Sequence, residues 1–218
     1  MEARRFLLLL LLAGCGPTPA QPAHGPAPAP LSGSSTPPAI HPSVAGKVVW
    51  VPQTTRSVSG VVYVEDAPKQ GGVATTADIA IKNKELTPFI AVLTTGGTAT
   101  FSNRDALTHH VFSPELPGWD TGYLAKDQTT TKRFDPPGAY SLLCNIHPEM
   151  LSYLVVVPSS SFGTIGRDGR YTIGDLAPGT YRVTAWGPRM QPMTQSVTVG
   201  SSGPTVVDFE LHPASGRP

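Results

Sequence analysis

Several features are scarce in this sequence of 218 residues, and each scarcity excludes a class of protein. Charged residues make up only 14% of the chain, against about 25% in an average globular protein, which argues against long solvent-facing helices. The formal net charge is +1, so the chain lacks the basic excess that is typical of nucleic-acid binding. Only two cysteines are present, too few for a disulfide-rich scaffold.

Glycine and proline are abundant, with 22 and 24 residues respectively. Both residues interrupt helices, and both are frequent in turns. From Gly46 onward, short runs of β-branched residues alternate with turn sequences, and no window shows a helical period. This pattern predicts an all-β protein. Only the segments 82–86 and 124–128 could hold a single helical turn.

The N-terminus has the pattern of an export signal. Arg4 and Arg5 precede an apolar run at 6–13, which is far shorter than the roughly 20 residues that span a bilayer. The run ends in Leu-Ala-Gly-Cys at 12–15 and resembles the bacterial lipobox, in which cleavage precedes the cysteine and its sulfur takes a diacylglyceryl group. We therefore predict a signal peptide at 1–14 and lipidation of Cys15. The alternative is an ordinary signal peptide with an accidental cysteine.

The segment 15–45 is predicted to be a tether. Residues 16–45 hold nine prolines and no charged residue, so this segment cannot bury a core and favours extended conformations. The lipobox resemblance implies a protein of the cell envelope that contacts the membrane only through its lipid anchor. Gly16 stands where inner-membrane lipoproteins of the resembled class have Asp, which favours the outer membrane, facing the periplasm, over the inner membrane or the cell surface.

The remainder is divided into a unit at 46–157, a second unit at 158–213 and a tail at 214–218. Strands are predicted at 47–51, 58–65, 77–82, 89–94, 98–103, 139–145, 153–157, 181–186, 195–199 and 205–211. Strand side chains alternate between two faces, so Tyr140, Leu142 and Cys144 share one face, and Cys144 should point into the core.

The segment 144–150 places a thiol, an imidazole and a thioether within seven residues, in Cys144, His147 and Met150. A further imidazole comes from His109 or His110, of which only one can face a given metal because strand neighbours point to opposite sides. Two histidines, one cysteine and a weak axial methionine form the ligand set of a blue-copper site. Zinc is the alternative metal, although closed zinc sites rarely use methionine and a second cysteine is missing.

The loop Cys-x2-His-x2-Met and the upstream sequence NRDALTH at 103–109 resemble the cupredoxins, most closely the amicyanin group. The resemblance covers 46–157 and implies a Greek-key sandwich that holds one type 1 copper ion. By resemblance the ligands are His109, Cys144, His147 and Met150. Residues expected around the ligands are Asn103, Asn145 and His110, which occupies a position where the family usually has Asn.

Residues 159–213 resemble the carboxypeptidase-regulatory-like, transthyretin-like β-sandwich, through GRDGRYTIGDLAPGTYRVTAWGP and the strands that follow. The resemblance implies a module without catalysis of its own. A unit this short has difficulty burying an independent core. We therefore expect it to pack against the preceding unit or to take a strand from it.

These features predict a membrane-tethered copper protein that transfers single electrons and is not an enzyme. Motifs of hydrolases, nucleotide-binding enzymes and zinc proteases are missing from the sequence. A redox partner protein is expected, but nothing in the sequence identifies it. Two alternatives stay open: an envelope copper chaperone or buffer that uses the same ligands, and an adhesion module with a vestigial copper site.

Overall fold

A computed structural model describes residues 41–51, 59–67 and 75–215, and every regular element in these ranges is a strand. The predicted signal peptide, Cys15 and the tether up to residue 40 lie outside the described residues. Within the described ranges, no helix has the length and apolar character that crossing a membrane requires. The strands are β1 (Ser43–Trp50), β2 (Gly60–Val64), β3 (Thr76–Lys82), β4 (Glu85–Thr87), β5 (Ile90–Thr94), β6 (Gly97–Asn103), β7 (Val111–Phe112), β8 (Thr129–Phe134), β9 (Gly138–Cys144), β10 (Leu151–Val157), β11 (Phe162–Ile165), β12 (Arg170–Ile173), β13 (Gly179–Trp186), β14 (Met193–Val199), β15 (Pro204–Val206) and β16 (Phe209–Leu211).

Strands β3 to β10 form a two-sheet sandwich, which we call the first body. One sheet has the order β4-β3-β6-β8 and the other β5-β10-β9-β7. Within them β3 pairs with β6, and β5 with β10, in parallel, which requires crossovers between the sheets. Apolar side chains from both sheets fill the space between them, including Phe101, Phe134, Leu142 and Leu154, each at most 2% exposed.

The second body is another sandwich, and it takes strands from both ends of the described chain. Strand β1 pairs with β12, β15 and β16, and β2 lies between β11 and β13 in the sheet β11-β2-β13-β14. The expectation that the short C-terminal unit takes a strand from the preceding part is confirmed, with two strands instead of one. Strands β1 and β2 therefore belong to the second body, and the first body begins with β3, near residue 75, and not at the predicted boundary of 46. The physical reason is that residues 158–213 alone lack enough apolar strands to close a core.

The predicted strand 205–211 is interrupted, and β15 and β16 replace it. Both pair in parallel with β1, β15 along Ser43–Ala45 and β16 along Val48–Trp50. Between the two pairings, Val207 approaches β1 so closely that a Cβ at Gly46 would lie 1.8 Å from the Val207 carbonyl oxygen. The missing side chain of Gly46 permits this approach.

Strand β10 is buried on both faces. Leu154 and Val156 point into the core of the first body, whereas Tyr153, Val155 and Val157 pack against Val61 of β2 and Trp186 of β13. This position explains the continuous apolar run of the strand, since a strand with one wet face would alternate.

Neither segment that could hold a helical turn does so. In 82–86 the chain makes a tight hairpin between β3 and β4, with Asn83 and Lys84 at φ of 54° and 57° and Lys82 opposite Glu85. Two residues with positive φ are typical of a type I′ hairpin turn, which Asn favours at its first position. In 124–128 the chain forms a turn in which the Gln128 N–H donates to the Ala125 carbonyl.

Candidate metal centre

The pairing of β7 with β9 brings the upstream histidine to the cysteine. Cys144 is the last residue of β9 and lies opposite Val111. His109 precedes β7 and forms a two-way backbone bridge with Leu124, N–H to carbonyl in both directions, at 3.0 and 2.8 Å. The backbone of His109 is therefore fixed on one side by Leu124 while its side chain faces Cys144.

The loop between β9 and β10 carries His147 and Met150. Its ends are held together because Leu143 of β9 pairs with Leu151 of β10. Inside the loop the Met150 N–H donates to the His147 carbonyl at 3.1 Å, which turns the chain so that His147 faces Cys144. The seven-residue spacing of the motif is thus the size of a loop that closes over one edge of the sandwich.

Three donor atoms converge at this edge. The Nδ1 atoms of His109 and His147 lie 3.9 and 3.8 Å from the Cys144 Sγ, and ligand atoms of the three residues lie within 4.8 Å of one another. A metal bound in the plane of three such ligands, at about 2.0 Å from nitrogen and about 2.3 Å from sulfur as in zinc sites, requires nitrogen–sulfur separations of about 3.7 Å. The two nitrogen–sulfur separations therefore match those of a metal bound by these residues, and a thiolate with two imidazoles is a donor set that suits copper.

The site is closed toward the protein interior and open to solvent at His147. His109 is fully buried, Cys144 is 4% exposed and Met150 is 1% exposed, whereas His147 is only half-buried. Met150 packs in the same apolar cluster as Cys144, in the core of the first body. Three of the four residues expected as ligands therefore lie in a dry environment, and His147 connects the site to solvent.

Asp105 orients the His109 ring. The His109 Nε2–H donates to the Asp105 Oδ2 at 3.0 Å, so Nδ1 keeps its lone pair toward the cluster. Burial lowers the pKa of His109, and Asp105 opposes that shift only in part, so the imidazole is neutral at pH 7, as a ligand must be. For Asp105 itself, burial raises the pKa, but hydrogen bonds from the Lys84 and Asn83 N–H groups and from His109 outweigh it and lower the pKa.

Asn103, at the end of β6, holds the segment that leads to His109. Its side-chain amide donates to the carbonyls of Leu107 and Leu124, and its Oδ1 accepts the N–H of Asp105. Asn103 is 1% exposed, so these bonds are made in the protein interior. The residue expected near the ligands therefore acts on the backbone around them.

His110 and Asn145 lie together, on the other side of the strand from His109. The Asn145 side-chain amide is 3.3 Å from the His110 Nδ1, and the Asn145 N–H donates to the His110 carbonyl at 3.0 Å. The His110 Nε2 is 3.3 Å from the Asp120 carboxylate but lacks hydrogen-bond geometry to it. His110 thus connects the two ligand-bearing segments from outside the cluster.

Asp105 is the functional residue that the sequence analysis did not single out. It lies inside the quoted motif, four residues before His109, and a carboxylate near a ligand histidine is a recurrent arrangement in metal sites. Its bonds to Asn83 and Lys84 come from a hairpin about twenty residues upstream. No local sequence pattern predicts that contact.

Comparisons with known proteins find similarity to two different families in different parts of the chain. Residues 154–212 match the family described as carboxypeptidase regulatory-like domain. The carboxypeptidase N catalytic chain of Mus musculus is 52% identical over 54 residues, which is 25% of this chain but only 12% of that protein. The chain therefore spans about an eighth of this relative, and the match concerns the regulatory-like region.

Amicyanin-alpha of Methylorubrum extorquens is 33% identical over 97 residues, which is 43% of this chain and 77% of that protein. Among solved structures, amicyanin of Paracoccus versutus is 20% identical and covers 44% of this chain and 96% of its own, with a TM-score of 0.34. A purple cupredoxin of Nitrosopumilus maritimus is 20% identical and covers 37% of this chain and 98% of its own, with a TM-score of 0.35.

Proposed function

The chain belongs to the amicyanin family of cupredoxins, and from this membership we propose that it is a type 1 copper protein that carries single electrons. The observation that supports the proposal is the convergence of the Cys144 Sγ with the Nδ1 atoms of His109 and His147. Copper bound there would supply a one-electron couple, since thiolate and thioether ligands suit Cu(I) and imidazoles suit both oxidation states.

Each residue has a separate task in this proposal. Cys144 provides the thiolate from the rigid end of β9, and His109 provides a neutral nitrogen whose orientation Asp105 maintains. Met150 is the weak fourth ligand from the core side. His147, the one half-buried member, is the point at which an electron enters or leaves, because it alone connects the cluster to the surface.

A carrier fits these positions better than a chaperone or buffer does. A protein that hands over metal ions needs ligands that a recipient can reach, yet three of the four residues are at most 4% exposed. Burial also limits the water that rearranges when the charge of the site changes. The three converging residues correspond to the ligand set of an electron-transfer copper site, so we propose a carrier and not an enzyme.

We also propose that the carrier is anchored in the bacterial cell envelope through a lipid on Cys15, at the outer membrane and facing the periplasm. This part of the proposal rests on the sequence pattern at 1–15 and on the uncharged tether that follows. A short acyl anchor with a long tether lets the copper body reach a partner without a membrane-spanning segment.

The two cysteines provide matched controls for a single experiment on the full chain. Cu(II) loading of the wild type should give an intense visible thiolate-to-copper absorption band and the electron spin resonance spectrum of a type 1 site. Cys144→Ser should lose the band while keeping lipid labelling and membrane attachment. Cys15→Ser should keep the band and lose the lipid. A Cys144→Ser protein that kept the band would refute the copper assignment, and a Cys15→Ser protein that stayed lipidated would refute the anchor.

An electron carrier and a copper handler, by which we mean a chaperone or buffer, are distinguished by the voltammetry and the copper retention of the loaded protein. The carrier should show reversible voltammetry with fast electron transfer and should retain copper against a competing chelator for hours. A handler should lose copper to the chelator within seconds and give sluggish voltammetry. Retention of copper together with slow, irreversible voltammetry would contradict both the carrier and the handler hypotheses.

A further inference from the structure

A basic groove lies beside the candidate metal centre. It encloses about 610 Å³ between the β3–β4 hairpin, the segment after β6 and the turn before β8. Its chemistry is set by four cationic side chains, one carboxylate and one apolar residue: Lys82, Lys84, Arg104, Lys126, Asp105 and Leu107. The whole chain has a net charge of only +1, so this groove is a local concentration of positive charge.

The carboxylate of the groove does not neutralise the cations. Asp105 accepts hydrogen bonds from the Asn83 and Lys84 N–H groups and from His109, and its side chain is only 11% exposed. Its charge therefore offsets at most one of the four cations, and the groove keeps a net positive charge. The surface that faces solvent is formed by the ends of the lysine and arginine side chains.

Within the part of the chain that the structure describes, three of the four cations have no ion-pair partner. Lys84 lies 3.3 Å from the carboxylate of Glu149, in the loop that carries His147. Lys82, Arg104 and Lys126 make no ion pair within the described residues, although Glu85 lies opposite Lys82 in the hairpin register. The groove can therefore accept several negative charges at once.

Exposure of these cations decides what kind of anion fits. All four belong to exposed residues, and exposed flexible ammonium groups hold a small anion only weakly because water and salt screen them. Spread over an open groove, the same charges steer a large acidic surface into position and increase its association rate. The apolar Leu107, which is 46% exposed, adds a contact that a protein surface can use and an inorganic anion cannot.

We propose that the basic groove is the docking surface for a carboxylate-rich face of a redox partner protein. This inference rests on the proposed electron-carrier function. The position of the groove beside the candidate metal centre supports this proposal. Asp105 lines the groove, and its Oδ2 lies 3.0 Å from the Nε2 of His109. A partner seated there comes within one side chain of a proposed copper ligand. The salt bridge from Lys84 to Glu149 joins the same groove to the loop of the other ligands.

The first test needs no copper. Backbone amide resonances of the metal-free full chain are followed while an oligoglutamate peptide is added at low ionic strength. Shifts should cluster at 82–84, 104–107 and 126 and should disappear on addition of about 0.2 M salt. Arg104→Glu/Lys126→Glu should abolish the shifts. The matched control, Lys47→Glu/Arg167→Glu, changes the net charge equally on exposed residues of the second body and should keep them.

The second test uses the copper-loaded protein. Oxidation of the reduced form by anionic hexacyanoferrate(III) should slow about tenfold in the groove variant and stay unchanged in the control variant. Oxidation by the cationic tris(phenanthroline)cobalt(III) should not slow in either.

The outcomes separate this inference from the proposed function. Shifts elsewhere on the surface, or an equal loss in both variants, would overturn the groove as a docking surface. So would tight binding of inorganic phosphate to the same residues at physiological salt, because the site would then serve a small anion. A chain that binds oligoglutamate in the groove but forms no type 1 site would instead overturn the electron-carrier function, and with it the redox nature of the partner.

Discussion

The contact between Asp105 and His109 yields a quantitative prediction about copper affinity. Asp105→Ala removes the carboxylate that accepts the His109 Nε2–H at 3.0 Å, in a place where His109 is fully buried and the carboxylate is 11% exposed. Without it, the His109 Nε2–H loses this acceptor, and the tautomer with a free Nδ1 loses its stabilisation. Loss of a carboxylate partner of this kind typically weakens metal binding about 10- to 100-fold, which corresponds to about 1.4 to 2.7 kcal/mol.

Two variants make the reasoning falsifiable. Asp105→Asn should recover only part of the affinity, because its oxygen can still accept from His109 but its NH2 group then faces the Asn83 N–H, a second donor, and that hydrogen bond is lost. Asp120→Ala removes the carboxylate beside the non-ligand His110 and should change the affinity less than twofold. The assay is a competition titration against a chelator of known copper affinity, with the visible band as readout. Equal affinities for wild type and Asp105→Ala, or equal losses for Asp105→Ala and Asp120→Ala, would refute the positioning role.

Two further predictions concern the second body, where backbone contacts at Val207 are close. Gly46→Ala should lower the free energy of unfolding, measured by urea denaturation, by about 3 kcal/mol, because its Cβ would meet the Val207 oxygen at 1.8 Å. The control Gly174→Ala, whose Cβ would have nothing within 4 Å, should be nearly neutral. An equal loss in both variants would contradict the steric argument. Burial raises the pKa of Tyr171, whose hydroxyl donates to the Val207 carbonyl. The unfolded state therefore loses this proton at a lower pH than the folded state does. The stability of the fold should consequently fall as the pH rises above about 10. Tyr171→Phe should make that decline shallower, and an unchanged slope would show that Tyr171 does not cause it.

Local patterns in the sequence predicted several structural features of the candidate site. Alternation along β9 placed Cys144 inward, and the structure has it 4% exposed. The spacing of Cys144, His147 and Met150 placed three candidate ligands within one segment of seven residues, and in the structure this segment connects paired residues of β9 and β10. Because strand neighbours point to opposite sides, only one of His109 and His110 was expected to face the metal. The resemblance to the cupredoxins indicated His109, and His110 lies with Asn145 outside the cluster. The inward direction of Cys144 and the opposite directions of the two histidines depend only on side-chain alternation along a strand.

Strand partnership could not be predicted in the same way. The sequences of β1 and β2 show that they are strands but not which sheet they join, because pairing depends on the shape of a surface built from distant residues. The partners of β2 lie about a hundred residues further along the chain, in β11 and β13. The interruption of the predicted strand 205–211 has the same origin, since it depends on how closely Val207 approaches Gly46.

The second body has a physical consequence for the metal centre through β10. This strand leaves the ligand loop directly after Met150 and is held on one face by the core of the first body and on the other by Val61 and Trp186. A strand packed on both faces cannot shift without opening two cores, so the loop that ends on it changes little in shape when the charge of the site changes. A rigid ligand loop is what rapid one-electron transfer requires, because reorganisation of the ligands would otherwise add to the barrier. The second body thus supports the proposed function by restraining the strand behind the ligands, although none of its own residues belongs to the candidate metal centre.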